Sequence, residues 1–114
     1  MIREFILAAA MAGLVSAPAL ADQIEGRWRT GEGGNVSIAG CGSSFCIKVT
    51  SGEFNGRQIG KLKKDGDKYV GKITDPANDR TYRGSAWFSG ANTLNMRGSV
   101  LGGLVGRTDK WTRR

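Results

Sequence analysis

Residues 82–100 read YRGSAWFSGANTLNMRGSV, and small or apolar side chains take every second position on both sides of a turn signal. The turn signal is Gly90 to Asn92. The alternating positions are Tyr82, Gly84, Ala86 and Phe88 before it, and Leu94, Met96, Gly98 and Val100 after it. Successive side chains of a β-strand point to opposite faces of a sheet. This stretch therefore predicts two strands, each with one buried face.

The same alternation recurs along most of the chain. It predicts strands at 24–29, 36–39, 45–49, 57–64, 68–73, 82–88, 94–100 and 107–113. In the fourth strand Ile59 and Leu62 are out of phase, which indicates a β-bulge. Short sequential strands with brief connections predict an all-β fold, a small antiparallel up-and-down barrel of about eight strands, because closure removes the sheet edges. An open sandwich is the alternative.

Four glycines, Gly26, Gly71, Gly84 and Gly98, lie within predicted strands at inward positions. A glycine inside a strand marks a sharp bend or a close approach of two backbones. Four of them on the same face favour the coiled wall of a barrel over a flat sheet.

The first 21 residues have the pattern of a secretory signal peptide. Arg3 supplies a positive charge, Phe5 to Val15 are apolar or small, and Ala19 and Ala21 flank a small-x-small cleavage site. The apolar run is shorter than the about 20 residues that span a bilayer. We therefore expect cleavage after Ala21, one domain at residues 22–114 with no transmembrane segment, and a periplasmic or secreted location.

Composition argues against catalysis. The chain contains no histidine, which is the commonest general base and metal ligand in proteins. The available carboxylates, Glu25, Glu53 and Asp109, show no telling spacing, and the acidic segments around Asp65 and Asp75 suit turns better than calcium loops. We expect a protein that is not an enzyme, has no cofactor or metal, and is a monomer.

The two cysteines, Cys41 and Cys46, are predicted to form a disulfide. Both occupy outward positions of a predicted hairpin, so their sulfurs leave the same face. Opposed residues of antiparallel strands lie close enough for such a bond. Their spacing does not match the Cys-x-x-Cys of redox proteins, and two thiolates alone do not make a zinc site.

Several motifs, taken together in order, resemble the exported bacterial proteins of domain-of-unknown-function family 2147. The motifs are Gly26-Arg27-Trp28-Arg29-Thr30, Cys41-Gly42 with Cys46, Ile73-Thr74-Asp75-Pro76, Thr81-Tyr82, Leu94-Asn95-Met96-Arg97-Gly98 and Lys110-Trp111-Thr112-Arg113. The resemblance implies a periplasmic or secreted, lipocalin-like barrel and brings no catalytic residues. Many relatives carry a second cysteine pair where this chain has Ser99 and Gly106, which implies that Cys41 and Cys46 bond each other and that the connection after Val100 is less restrained here.

Gly26-Arg27-Trp28 also resembles the Gly-x-Trp of lipocalins. In that family an arginine near the end of the last strand lies over the tryptophan. The resemblance implies the same place for Arg113 or Arg114, where a cation–π contact would close the floor of the barrel.

A set of large inward side chains beside small residues provides the first functional hypothesis. Its members are Trp28, Tyr69, Tyr82, Phe88 and Met96. An eight-stranded barrel is filled by side chains or holds one small ligand, so the set describes either an ordinary core or a pocket for a small apolar or amphipathic envelope compound. A ligand site predicts an enclosed inward cavity.

The positive charge provides the second hypothesis. The formal net charge is +7, and residues 1–21 contribute one basic and one acidic residue, so the charge belongs to the domain. Seven basic residues lie at outward or turn-flanking positions: Arg27, Arg29, Lys48, Lys61, Lys63, Lys72 and Arg83. They form either a surface that docks on anionic envelope components or an acidic protein partner, or scattered charges that keep the protein soluble. Nucleic acid is not expected, because export removes it and Trp87 is a single outward aromatic platform.

Overall fold

The structure is a computed structural model that describes residues 22–100 and 105–114. The predicted signal peptide and the connection at 101–104 lie outside these described residues. Eight strands follow in chain order: β1 (Gly26–Arg29), β2 (Asn35–Cys41), β3 (Ser44–Val49), β4 (Gln58–Asp65), β5 (Lys68–Asp75), β6 (Arg80–Phe88), β7 (Thr93–Val100) and β8 (Val105–Arg113).

These strands form a closed, antiparallel up-and-down barrel, as the sequence predicts. Each strand pairs with the next, and β1 closes the barrel on β8, where Trp28 faces Arg113 and Arg29 faces Thr112. An open sandwich is thereby excluded. No helix among the described residues is long and apolar enough to cross a bilayer.

The first strand begins two residues later than the alternation predicts. Residues 22–25 form a turn, in which the Glu25 amide donates to the Asp22 carbonyl oxygen at 3.0 Å. Ile24 has the same parity as Trp28 and is fully buried, but it reaches the interior from this turn and not from a strand. We call residues 22–25 the N-terminal turn.

The predicted bulge is present in β4. Ile47 of β3 faces Gly60, whereas the next residue, Lys48, faces Gln58. Ile59 is therefore the extra residue on β4, and its presence shifts the alternation. Beyond the bulge, Leu62 points inward and is fully buried.

The barrel interior is packed with the inward side chains that the alternation identifies. The largest fully buried side chains are Trp28, Ile24, Ile38, Ile47, Leu62 and Leu94. Val36, Tyr69, Ala86, Met96 and Trp111 complete the buried cluster. Val100 is 41% exposed although it continues the alternation of β7.

Three of the four predicted glycines form a row across the wall. Gly71 faces Gly84, and Gly84 faces Gly98. A Cβ atom on Gly71 would lie 2.0 Å from the carbonyl oxygen of Lys61, so only glycine permits this approach of β5 to β4. The Ile73 side chain fills the space over Gly84 and Gly98. The prediction of close backbone approach is therefore confirmed for Gly71, whereas Gly84 and Gly98 make room for a side chain.

The predicted disulfide is present, with a Cα–Cα distance of 5.9 Å between Cys41 and Cys46. The two cysteines are diagonal neighbours and not opposed residues, because Cys41 faces Ser44 and Cys46 faces Ala39. The physical reason is a turn that contains only Gly42 and Ser43, with Gly42 at φ 73°.

Candidate functional site

One end of the barrel is closed by the N-terminal turn and by Arg113. The Arg113 guanidinium lies 4.2 Å from the centroid of the Trp28 ring. It also donates to the carbonyl oxygens of Gln23 at 2.8 Å, Ala91 at 3.2 Å and Glu25 at 3.3 Å. Trp28 Nε1 donates to the Ile24 carbonyl oxygen at 3.0 Å. Of the two arginines that the lipocalin resemblance implies, Arg113 is therefore the one that lies over Trp28.

Asp22 attaches the N-terminal turn to the β4–β5 hairpin. Its carboxylate accepts hydrogen bonds from the Tyr69 hydroxyl and, at 3.0 Å, from the Ile24 amide, and Lys64 Nζ lies 3.3 Å from Asp22 Oδ2. Burial alone would raise the pKa of Asp22, but these donors outweigh it and hold that pKa below its ordinary value. Burial, and then the Asp22 carboxylate, raise the pKa of Tyr69 well above its ordinary value.

Most of the predicted ligand-binding residues come together as an aromatic cluster in the core. Ring centroids are 6.1 Å apart for Trp28 and Phe88, and 6.2 Å apart for Phe88 and Tyr69. Met96 is 3% exposed and belongs to the same buried set. Tyr82 is half-buried and lies apart, since it is six positions from Phe88 along β6, about 20 Å of strand.

A groove of about 920 Å³ lies at the rim of the closed end and extends onto the outer face. Its lining residues come from the N-terminal turn, the β4–β5 hairpin, β6 and β7. They are Gln23, Lys64, Gly66, Asp67, Lys68, Tyr69, Ser85, Trp87, Phe88 and Arg97. We call it the rim groove. Tyr69 and Phe88 are the predicted ligand-binding residues that line it; Trp28, Tyr82 and Met96 do not.

The rim groove combines aromatic surface with positive charge. Trp87 and Phe88 are half-buried, whereas Lys64 and Lys68 are exposed at its edge. Arg97 adds a third basic side chain, and Asp67 is the one acidic side chain of the lining. Sequence reasoning did not assign Lys68, Trp87 or Arg97 to a site. Their shared outward parity was the available signal.

All seven predicted docking residues are exposed on the outer surface. Three of them are directly opposed across neighbouring strands, since Lys61 faces Lys72 and Lys72 faces Arg83. We call Lys61, Lys72 and Arg83 the basic row. Lys63 follows Lys61 on the same face of β4.

The other docking residues lie off this row. Lys48 faces Gln58 on β4, and Arg27 faces Ser37 on β2. Arg29, also on β1, faces Asn35. A shallow groove of about 490 Å³ borders the basic row and is lined by Ser43, Ser44, Lys61, Lys63, Val70, Gly71 and Lys72.

The carboxylates that sequence analysis singles out are occupied or isolated. Glu25 accepts from the Asp22 amide at 3.2 Å, and Asp109 accepts from the Gly31 amide at 3.1 Å and from Trp111 Nε1 at 2.9 Å. Glu53 is exposed in the β3–β4 connection.

The acidic β5–β6 segment makes turn contacts: the Asp75 carboxylate accepts from the Ala77 amide at 2.9 Å and the Asn78 side chain from the Arg80 amide at 2.9 Å. Within residues 22–100 and 105–114, no three metal-ligating side chains converge.

The sequence of this barrel matches the model of a known protein family. The family model described as an uncharacterized protein conserved in bacteria, domain-of-unknown-function family 2147, matches residues 53–113. The chain belongs to this family. The resemblance seen in the motifs is therefore confirmed, and the matched region runs from the β3–β4 connection through β8.

No curated protein matches this member of family 2147. Among solved structures, a redesigned beta barrel is similar, with a TM-score of 0.51 and 17% sequence identity over 81% of this chain and 91% of that chain. At this identity the likeness shows the barrel fold and nothing about function.

Proposed function

We propose that this protein is an exported, non-catalytic barrel that docks on the anionic lipid headgroups of the bacterial envelope through its outer face. The observation that carries the proposal is the basic row, in which three cations stand side by side on adjacent strands. In β4, β5 and β6 the acidic residues are Asp65 and Asp75, and both lie at strand ends.

The arrangement is unfavourable for an isolated barrel. Like charges directly opposed on a sheet destabilise it by about 0.2–1 kcal/mol per pair. An anionic surface would remove this repulsion, because each cation then finds phosphate oxygens. A membrane attracts nearby basic residues by about 1 kcal/mol each, within a screening distance of about 8 Å at physiological salt. Clustered cations on one face therefore act together, whereas scattered ones do not.

Export is part of the proposal and is supported by two features. The first 21 residues have the composition of a signal peptide, and the disulfide of Cys41 and Cys46 suits an oxidising compartment. The mass of the protein isolated from an envelope fraction should correspond to a chain that begins at Asp22. A mass that retains residues 1–21 would contradict export by cleavage.

Docking is tested by co-sedimentation with phosphatidylglycerol vesicles, using phosphatidylcholine vesicles for comparison. The variant is Lys72→Glu, because Lys72 is the centre of the basic row. Reversal removes one attraction and adds one repulsion, so we expect roughly 30-fold weaker binding at low salt, from about 1 kcal/mol for each change. Binding of the unchanged protein should also decline as salt increases.

Arg27→Glu is the matched control. It makes the same change of charge at an exposed outward residue, but on β1, with β2 and β3 between it and the basic row. Binding by this variant should fall far less than that of Lys72→Glu. Equal losses would show attraction to net charge alone, and no binding of the unchanged protein to phosphatidylglycerol at low salt would refute docking.

A further inference from the structure

We infer that the rim groove is a binding site for a small amphipathic anion, a carboxylate with an extended apolar body. This site is separate from the basic row, and the inference does not rest on docking. The small-ligand hypothesis from the sequence placed the ligand in the barrel interior, where fully buried side chains such as Trp28 and Leu62 are packed. The rim groove offers space elsewhere, with about 920 Å³ outside this packed interior.

The lining provides an apolar contact surface for the body of such a ligand. Trp87 and Phe88 are adjacent in sequence, so one points outward and the other inward at the end of β6. Both are half-buried and line the groove. Sites of about 300–1,000 Å³ with a few polar groups at their edge are typical of small-ligand binding.

The charged residues at the edge select an anionic head group. Lys64 and Lys68 line the groove together with the carboxylate of Asp67, whereas the guanidinium of Arg97, which also lines the groove, lies beside Gly106 of β8. Lys64 already lies 3.3 Å from Asp22 Oδ2, so its charge is partly balanced. Lys68 is exposed at the start of β5 and is followed by Tyr69. Tyr69 faces Ala86 of the antiparallel strand β6, and Ala86 is followed by Trp87. Lys68 and Trp87 are therefore neighbours across the two strands. A carboxylate at Lys68 would therefore place its alkyl chain along Trp87.

The probe is decanoate, titrated into the purified protein by calorimetry and by tryptophan fluorescence. Trp28 and Trp111 are buried in the core, so a change in emission should come from Trp87, and Trp87→Phe should abolish that change while calorimetric binding persists. Lys68→Glu should lower the association constant about twofold to thirtyfold, because an exposed charge contributes about 0.2–1 kcal/mol and its reversal doubles that change. Decanol, which has no charge, should bind more weakly than decanoate.

Lys61→Glu is the matched control, since it makes the same change of charge at an exposed lysine outside the rim groove. It should leave decanoate binding nearly unchanged. The inference is overturned if decanoate does not bind, if Lys61→Glu and Lys68→Glu weaken binding equally, if decanol binds as tightly as decanoate, or if Trp87→Phe keeps the emission change. Lys68 is exposed, so loss of folding is not expected to obscure the result.

Discussion

Arg113 joins the segments that meet at the closed end of the barrel. Its guanidinium covers Trp28 and donates to carbonyl oxygens of Gln23, Glu25 and Ala91, which belong to two separate segments. A guanidinium has five donors in a fixed planar arrangement, so one side chain holds both segments at once.

Replacement of Arg113 should therefore destabilise the fold. Arg113→Met keeps an apolar stem over Trp28 but removes the charge and all three hydrogen bonds. We expect the free energy of unfolding in urea to fall by about 1–3 kcal/mol. Arg114→Met is the control, because Arg114 is exposed and bonds Arg27 through its backbone amide. Equal effects of the two changes would contradict the special role of Arg113.

Asp22 should make stability depend on pH. The folded state holds the pKa of Asp22 below its ordinary value, so its contribution is present above the unfolded pKa, about 3.9, and is lost as pH falls through the folded value. Tyr69 has the opposite sign: its raised pKa gives a contribution that is complete below about 10 and is lost as pH rises further.

Thermal unfolding between neutral and acid pH measures the Asp22 contribution. Asp22→Asn should reduce stability at neutral pH and flatten the decline in acid. Asp67→Asn, which changes an exposed carboxylate of the β4–β5 hairpin, is the control. If both variants keep the acid slope of the unchanged protein, Asp22 does not provide this dependence.

At the scale of the strands, the glycine row sets how tightly the wall coils. Gly71→Ala would force a Cβ atom to within 2.0 Å of the Lys61 carbonyl oxygen, which is backbone and cannot rotate away. We expect a loss of about 3 kcal/mol or more in the free energy of unfolding, at the upper end for overpacking. Gly84→Ala meets the Ile73 side chain at 3.1 Å, which can shift, so it should cost much less. Similar losses in urea titrations would show that the approach of β5 to β4 is not limiting.

The alternation of side chains predicts the strands because it is a local property. It identifies every strand and the inward side of Trp28, Ile47 and Met96, and the broken phase around Ile59 marks the bulge. It places the start of β1 too early, because Ile24 has the parity of a strand residue although it enters the core from a turn. Parity gives the face of each cysteine but not the register, which depends on the turn at Gly42.

The two proposed binding surfaces were predictable from the sequence to different degrees, because a local pattern gives parity but not register or closure. Outward parity identifies Lys61, Lys72 and Arg83 as surface residues, but only the register shows that they are directly opposed. The rim groove depends on Gln23, the β4–β5 hairpin and side chains of β6 and β7 coming together. Contacts between segments so distant in sequence follow from closure of the whole sheet, and no local pattern indicates them.

For the whole molecule, a net charge of +7 on a small barrel opposes the compact state, and the basic row concentrates part of that repulsion. Raising NaCl from about 10 mM to about 150 mM shortens the screening length from about 30 Å to about 8 Å. The free energy of unfolding should therefore increase over this range.

Lys72→Glu turns both opposed pairs of the row from repulsive to attractive, so it should stabilise the barrel by about 1–2 kcal/mol at low salt and reduce the salt dependence. Since the same variant should bind anionic vesicles more weakly, a gain in stability together with a loss of docking would exclude unfolding as the cause. A loss of stability in Lys72→Glu at low salt would contradict repulsion within the row.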